Sequence, residues 1–140
     1  MYEHTAVDVG LGTMIGTRTK LTPNRAALTF EGSTWTYAEF LERIDRFAGA
    51  LIAGGVAKGD RVAYIGLNHP AFFVTLFAAS RVGATFVPLN FRLTGPELTF
   101  IVGDAGATVM VADAMHKDLI DSVRDDLPCN RYFGVEAAGE

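Results

Sequence analysis

Ser80-Arg-Val-Gly-Ala-Thr-Phe-Val-Pro-Leu-Asn-Phe-Arg-Leu-Thr-Gly-Pro-Glu-Leu98 packs a helix end, a strand, a sharp exit and a new helix start into one short run. Gly83 can take the left-handed conformation that stops a helix. Thr85 to Leu89 is β-branched and aromatic, which suits a short buried strand. Pro88 has no N–H for a ladder, so that strand ends there or lies at a sheet edge. Thr94 and Glu97 have capping-box spacing, which starts another helix. The exit loop, Leu89 to Leu93, therefore leaves the carboxyl end of a strand. That edge of an open α/β sheet is where ligands bind.

The same grammar extends outward. Arg61 to Leu67 carries the unbroken apolar run Val62-Ala-Tyr-Ile65, as a parallel strand covered on both faces does. Asn68-His-Pro70 opens a helix to Val82 that is apolar nearly all round. After Thr94 a helix turns Leu98, Ile101 and Val102 inward and ends near Gly103 to Gly106. Thr108 to Ala112 reads as a strand. Asp113 then caps a helix to about Leu127, with Met115, Leu119, Ile120 and Val123 on one face. Arg131 to Val135 is a last strand. Strands alternating with crossover helices predict an α/β fold, with a mostly parallel sheet and helices on both faces.

Upstream, Ala26 to Glu31 and Ser33 to Trp35 flank Gly32 as a small hairpin. Thr36 and Glu39 form a second capping box, and Trp35 with Phe40 a hydrophobic staple. Phe40, Leu41, Ile44, Phe47, Ala48 and Leu51 then recur at helical spacing up to Gly54-Gly55. Leu11 to Leu21 predicts a helix with Leu11, Met14, Ile15 and Leu21 inward. Residues 1–10 and 136–140 show no pattern.

The chain has 140 residues, 49% hydrophobic and 20% charged, with a formal charge of −4. One domain is expected at that length. The charge gives no basic footprint for nucleic acid. The single cysteine, Cys129, excludes an internal disulfide, and no Cys/His metal spacing occurs. No signal-peptide pattern or apolar stretch of membrane-spanning length is visible, so a cytoplasmic location is the default expectation.

Chemistry is sparse. No phosphate-binding G-x-x-x-x-G-K-[ST] loop, no dinucleotide G-x-G-x-x-G after a strand and no G-x-S-x-G elbow is present. Neither catalytic nor metal-ligating residues emerge. His69 is read as part of a helix-start turn, His4 and His116 as surface residues, and Asp113 as a cap. Asn90 and Arg92 are the candidate cofactor-binding residues, because they leave a strand at the ligand edge; Arg92 is suited to a phosphate or carboxylate.

Five segments, in order, resemble the front of the acyl-adenylate-forming superfamily of acyl-CoA synthetases, luciferases and peptide-synthetase adenylation domains. They are Trp35-Thr-Tyr-Ala-Glu-Phe40, Gly55-Val-Ala-Lys-Gly-Asp-Arg-Val-Ala63, Asn68 with the Phe72/Phe73/Phe77 helix, Arg81 to Leu93, and Glu97-Leu98 to Asp104-Ala105. The Asn90-Phe-Arg-Leu93 form is most similar to fatty-acyl and related CoA ligases. The resemblance covers about residues 11–112, and the α/β pattern continues to 135. Residues 1–140 are thus expected to be a single partial domain.

The resemblance implies a two-step reaction. A carboxylic acid, fatty in the form matched, attacks ATP to give an acyl-adenylate and pyrophosphate, and CoA then displaces AMP. Mg²⁺ would neutralise the phosphates. It also implies parts absent here: a Ser/Thr/Gly-rich phosphate loop ending in Pro-Lys, an adenine-binding aromatic segment, a ribose-binding aspartate and a C-terminal catalytic lysine. The expectation is therefore an inactive segment whose partner is the remainder of a ligase chain, with homo-oligomers through exposed apolar surface and attachment to a membrane surface by the complete enzyme as further possibilities. The alternative is a stand-alone binding or interaction module on the same scaffold.

Overall fold

The computed structural model describes residues 10–135. His4 and both terminal stretches lie outside them. Five helices and six strands follow the order α1 (Leu11–Leu21), β1 (Ala26–Phe30), β2 (Ser33–Thr36), α2 (Tyr37–Ala53), β3 (Arg61–Ile65), α3 (Pro70–Arg81), β4 (Thr85–Pro88), α4 (Gly95–Ala105), β5 (Val109–Asp113), α5 (Lys117–Val123) and β6 (Arg131–Val135). Single 3₁₀ turns, Ala114–His116 and Arg124–Asp126, flank α5.

β3 to β6 form one parallel sheet in the spatial order β4-β3-β5-β6. β1 and β2 pair antiparallel as a separate hairpin. Alternation along the parallel strands sorts side chains to two faces. Val62, Tyr64, Val109 and Val111 face one way and pack with Ile15, Ile44, Leu51 and Phe77 from α1, α2 and α3. Ala63, Ile65 and Met110 face the other way, against Leu98 and Val102 of α4 and Ile120 of α5. Helices on both faces explain why β3 reads as an unbroken apolar run: Val62 to Ile65 are all buried.

The capping signals work as expected at α2. The Thr36 N–H donates to Glu39 Oε2 at 2.8 Å, and the Glu39 N–H donates to Thr36 Oγ1 at 3.3 Å. At α4 the Thr94 N–H and hydroxyl donate to Glu97 Oε2 at 2.8 and 2.9 Å. Gly83 has φ +75° just past the Val82 cap of α3, as its stop role requires.

Two helices depart from the sequence reading. In α1 only Ile15 is buried; Leu11, Met14 and Leu21 are exposed. The face against α3 is instead the small one. A Cβ on Gly12 would lie 2.8 Å from the Ser80 carbonyl oxygen, so α1 rests backbone-close on the end of α3. Arg81 fastens that junction, donating to the Gly12 carbonyl at 3.2 Å while its Nε pairs with Asp45 of α2 at 2.8 Å. The segment after β5 is not one helix to Leu127 but a short α5 between two 3₁₀ turns. The first turn swings Met115 outward, leaving it 73% exposed.

Truncating Leu98, which has no exposed surface, to alanine should cost about 2–5 kcal/mol of unfolding free energy. Phe100→Ala, at a side chain 72% exposed, should change it by within about 0.5 kcal/mol. Gly12→Ala should cost ~1–3 kcal/mol by wedging α1 off α3. Urea denaturation of the three variants measures all of this.

Candidate functional site

In the order β4-β3-β5-β6 the chain leaves β3 and β5 toward opposite sides. The crevice between their carboxyl ends is the switch point where doubly wound sheets hold ligands. Here the chain's own polar groups fill it. Asp113, the last residue of β5, accepts the Leu67 N–H on Oδ2 at 2.9 Å and the His116 N–H on Oδ1 at 3.1 Å. The His116 ring adds Nδ1 at 2.5 Å from the same Oδ1. Its Nε2 lies 2.8 Å from the carbonyl oxygen of Phe91 in the 89–93 exit loop. The carboxylate of one strand end thus joins the loops after β3, β4 and β5.

Asp113 does cap, as its position suggested, but the cap closes a 3₁₀ turn and forms part of a larger network. His116 is not a surface residue. It is 6% exposed, because its ring is drawn under the exit loop by a bond spanning 25 positions. Burial pushes the Asp113 carboxyl up, yet the hydrogen bonds from His116 and Leu67 outweigh it and hold the group below its usual 3.8. Burial pushes the His116 imidazole down, and the bonds to Asp113 and Phe91 outweigh that too, leaving it above 6.5.

β3 passes through the same corner. Tyr64 is 1% exposed, and its buried hydroxyl has no hydrogen-bond partner. Burial first, then the Asp113 charge, raises that phenol to about 12. A Cβ on Gly66 would lie 3.1 Å from both Tyr64 Oη and Asp113 Oδ2, so an added side chain would have to push one of them aside by a few tenths of an ångström.

Asn90 and Arg92 reach the lip of this edge but do not meet in a shared pocket. The Asn90 side-chain oxygen accepts the Arg92 N–H at 2.9 Å, a local turn that shapes the loop. The Arg92 guanidinium lies over the Phe91 ring at 5.2 Å, exposed to solvent. His69 caps α3 through its ring, with Nδ1 accepting the Ala71 N–H at 3.0 Å. Its Nε2, which must then carry the proton, is buried without a partner beside the Phe30 ring. That corner opens into a cleft of about 700 Å³ between the hairpin, α2, α3 and β6, walled by Trp35, Phe47, Val74 and Phe133. Cys129 is buried and donates to the Ala107 carbonyl at 3.2 Å, with burial raising its thiol to about 11.

These residues do not fit the phosphates of ATP or a Mg²⁺ ion. At the switch point the Asp113 carboxylate is taken up by Leu67 and His116, and the Arg92 guanidinium at its lip lies over the Phe91 ring. Among the described residues no group of three or more His, Cys, Asp or Glu side chains could hold a metal.

A family model described as AMP-binding enzyme matches residues 17–134. The chain belongs to that family. A feruloyl-CoA synthase of Amycolatopsis sp is 46% identical over 111 residues, 79% of this chain and 23% of the relative. The long-chain-fatty-acid–CoA ligase FadD13 of Mycobacterium tuberculosis is 38% identical over 117 residues, 81% of this chain and 23% of the relative. A solved Mycobacterium tuberculosis fatty acyl CoA synthetase superposes with TM-score 0.85 at 33% identity, over 90% of this chain and 26% of its own. The chain thus spans about a quarter of the length of the relatives it matches.

Removing the carboxylate with Asp113→Ala should cost about 1.5–3 kcal/mol, the range for hydrogen bonds to a charged group. Asp118→Ala, at an exposed carboxylate, should stay within about 0.5 kcal/mol. Chemical denaturation at neutral pH compares them.

Proposed function

We propose that this chain is the opening part of the AMP-binding domain of a carboxylic acid–CoA ligase, acting as the scaffold on which the catalytic parts are assembled. The family match over residues 17–134 supports this reading most directly. The acid is proposed to carry a bulky apolar group, fatty or aryl. Relatives named for feruloyl-CoA and for long-chain fatty acids are both similar to this chain, and the fatty reading taken from Asn90-Phe-Arg-Leu93 is the narrower of the two. ATP, Mg²⁺ and CoA are proposed to be held by chain beyond the part described. Support for that comes from the carboxylate at the switch point and from the lack of fit to phosphate set out above. Arg92, whose exposed guanidinium lies over the Phe91 ring, is proposed as an anion-facing residue at this edge, while Asn90 shapes its loop. No described helix is long and apolar enough to cross a membrane, and the reaction is proposed to run in the cytoplasm.

The test is acid-dependent ATP–pyrophosphate exchange with ferulate and with a long-chain fatty acid. It is run on residues 1–140 and on the uninterrupted reading frame that contains them. Exchange by the longer product and none by residues 1–140 is the expected result. A longer product that exchanges with neither acid overturns the ligase reading. Exchange by residues 1–140 alone overturns the scaffold reading.

A further inference from the structure

The His116 ring stands between two acceptors. The Phe91 carbonyl oxygen can only accept, so Nε2, at 2.8 Å, must carry a hydrogen. Asp113 receives N–H groups from Leu67 and from His116 itself, a donor set that fits an ionised carboxylate and not a neutral acid. Nδ1, 2.5 Å from Asp113 Oδ1, must then carry a hydrogen as well. A ring with hydrogens on both nitrogens is an imidazolium. We propose that His116 is a proton-dependent clasp: charged, it pins the 89–93 exit loop to the Asp113 carboxylate, and on losing its proton it releases that loop.

Neutral imidazole has one N–H. If it keeps the bond to Asp113, Nε2 turns a lone pair toward the Phe91 carbonyl, and two acceptors at 2.8 Å repel. If it keeps the bond to Phe91, the repulsion moves to Asp113. Either way one tie is lost. The loop is the sensitive partner. Its local bonds, Leu93 N–H to the Asn90 carbonyl and Arg92 N–H to the Asn90 side chain, hold its shape, and Leu89 and Leu93 pack its two ends on the core, leaving the exposed 90–92 segment between them without a core anchor. The Leu89 N–H to the Tyr64 carbonyl anchors only its base. The bond to His116 reaches its apex from the other side of β3.

The charged and titratable groups around the clasp do not reverse this. From β3, Tyr64 brings an un-ionised phenol toward Asp113. From the exit loop, Arg92 is turned onto the Phe91 ring. From α5, Lys117 pairs with Asp121. The protonated ring contributes in full below the ordinary imidazole value of 6.5, and its contribution is lost as pH rises through its higher folded value. The Asp113 contribution is present above 3.8 and is lost as pH falls through its lower folded value. The clasp is therefore closed between those two limits and opens on the alkaline side. None of this depends on the ligase reading, so either can fail without the other.

The experiment is nitrogen-15 NMR of the histidine rings of the 140-residue chain, titrated across the neutral and alkaline range with the backbone amides of residues 90–93 followed in parallel. The expected result is a His116 ring that keeps both protons beyond the ordinary imidazole range. Its titration should be mirrored by shifts and by faster hydrogen exchange at those amides. His116→Gln should abolish the mirrored amide titration; if that variant does not fold, the wild-type titration alone decides. A His116 ring neutral at pH 7, or loop amides that ignore its titration, overturns the clasp.

Discussion

The central parallel strand, β3, has no face it can leave to water, and the architecture follows from that constraint. β3 is buried on both sides, so its chain neighbours must be shared between two helical layers. α1, α2 and α3 take one layer, α4 and α5 the other. Each fully buried Val, Ile or Leu side chain contributes roughly 1.5–3 kcal/mol, and the two layers hold most of them. The polar connections lie at the rim, where strands end and backbone groups need partners. Asp113 supplies three hydrogen-bonding contacts there from one carboxylate, and Arg131 another, donating to the Gly54 carbonyl at 2.9 Å to hold β6 against the end of α2.

The elements legible in the sequence are those whose signals are local. α2 carries a cap, a staple and a 3.6-residue period, and the structure returns all three. The parallel strands betray themselves by apolar runs without alternation. The order of the motifs also pointed to the family, because a scaffold is specified by many weak positions spread along the chain.

The remaining features depend on contacts that no periodicity records. The large apolar residues of α1 point to the wrong face, because Gly12 carries its close contact with the end of α3, where the approach of two backbones rewards the absence of a side chain. His116 sat in a polar stretch and looked like surface. Its partners are a carboxylate three positions back and a carbonyl oxygen twenty-five positions back, and a carbonyl oxygen has no letter in the sequence. A continuous α-helix would turn Met115 inward; the 3₁₀ turn set by Asp113 changes the angle per residue and sends it out. For Asn90 and Arg92 the location was readable from the strand end, but their division of labour needed the loop geometry.

The two outer strands of the sheet are guarded unequally. β4 ends in Pro88, which has no amide hydrogen to offer a neighbouring chain and blunts that border. β6 has no such residue: among the described residues no strand pairs with the outer side of Arg131-Tyr-Phe-Gly-Val135, which borders an apolar cleft. Crowding many copies of this segment together should therefore produce adhesion of one polarity, seeded along β6 and poorly supported along β4.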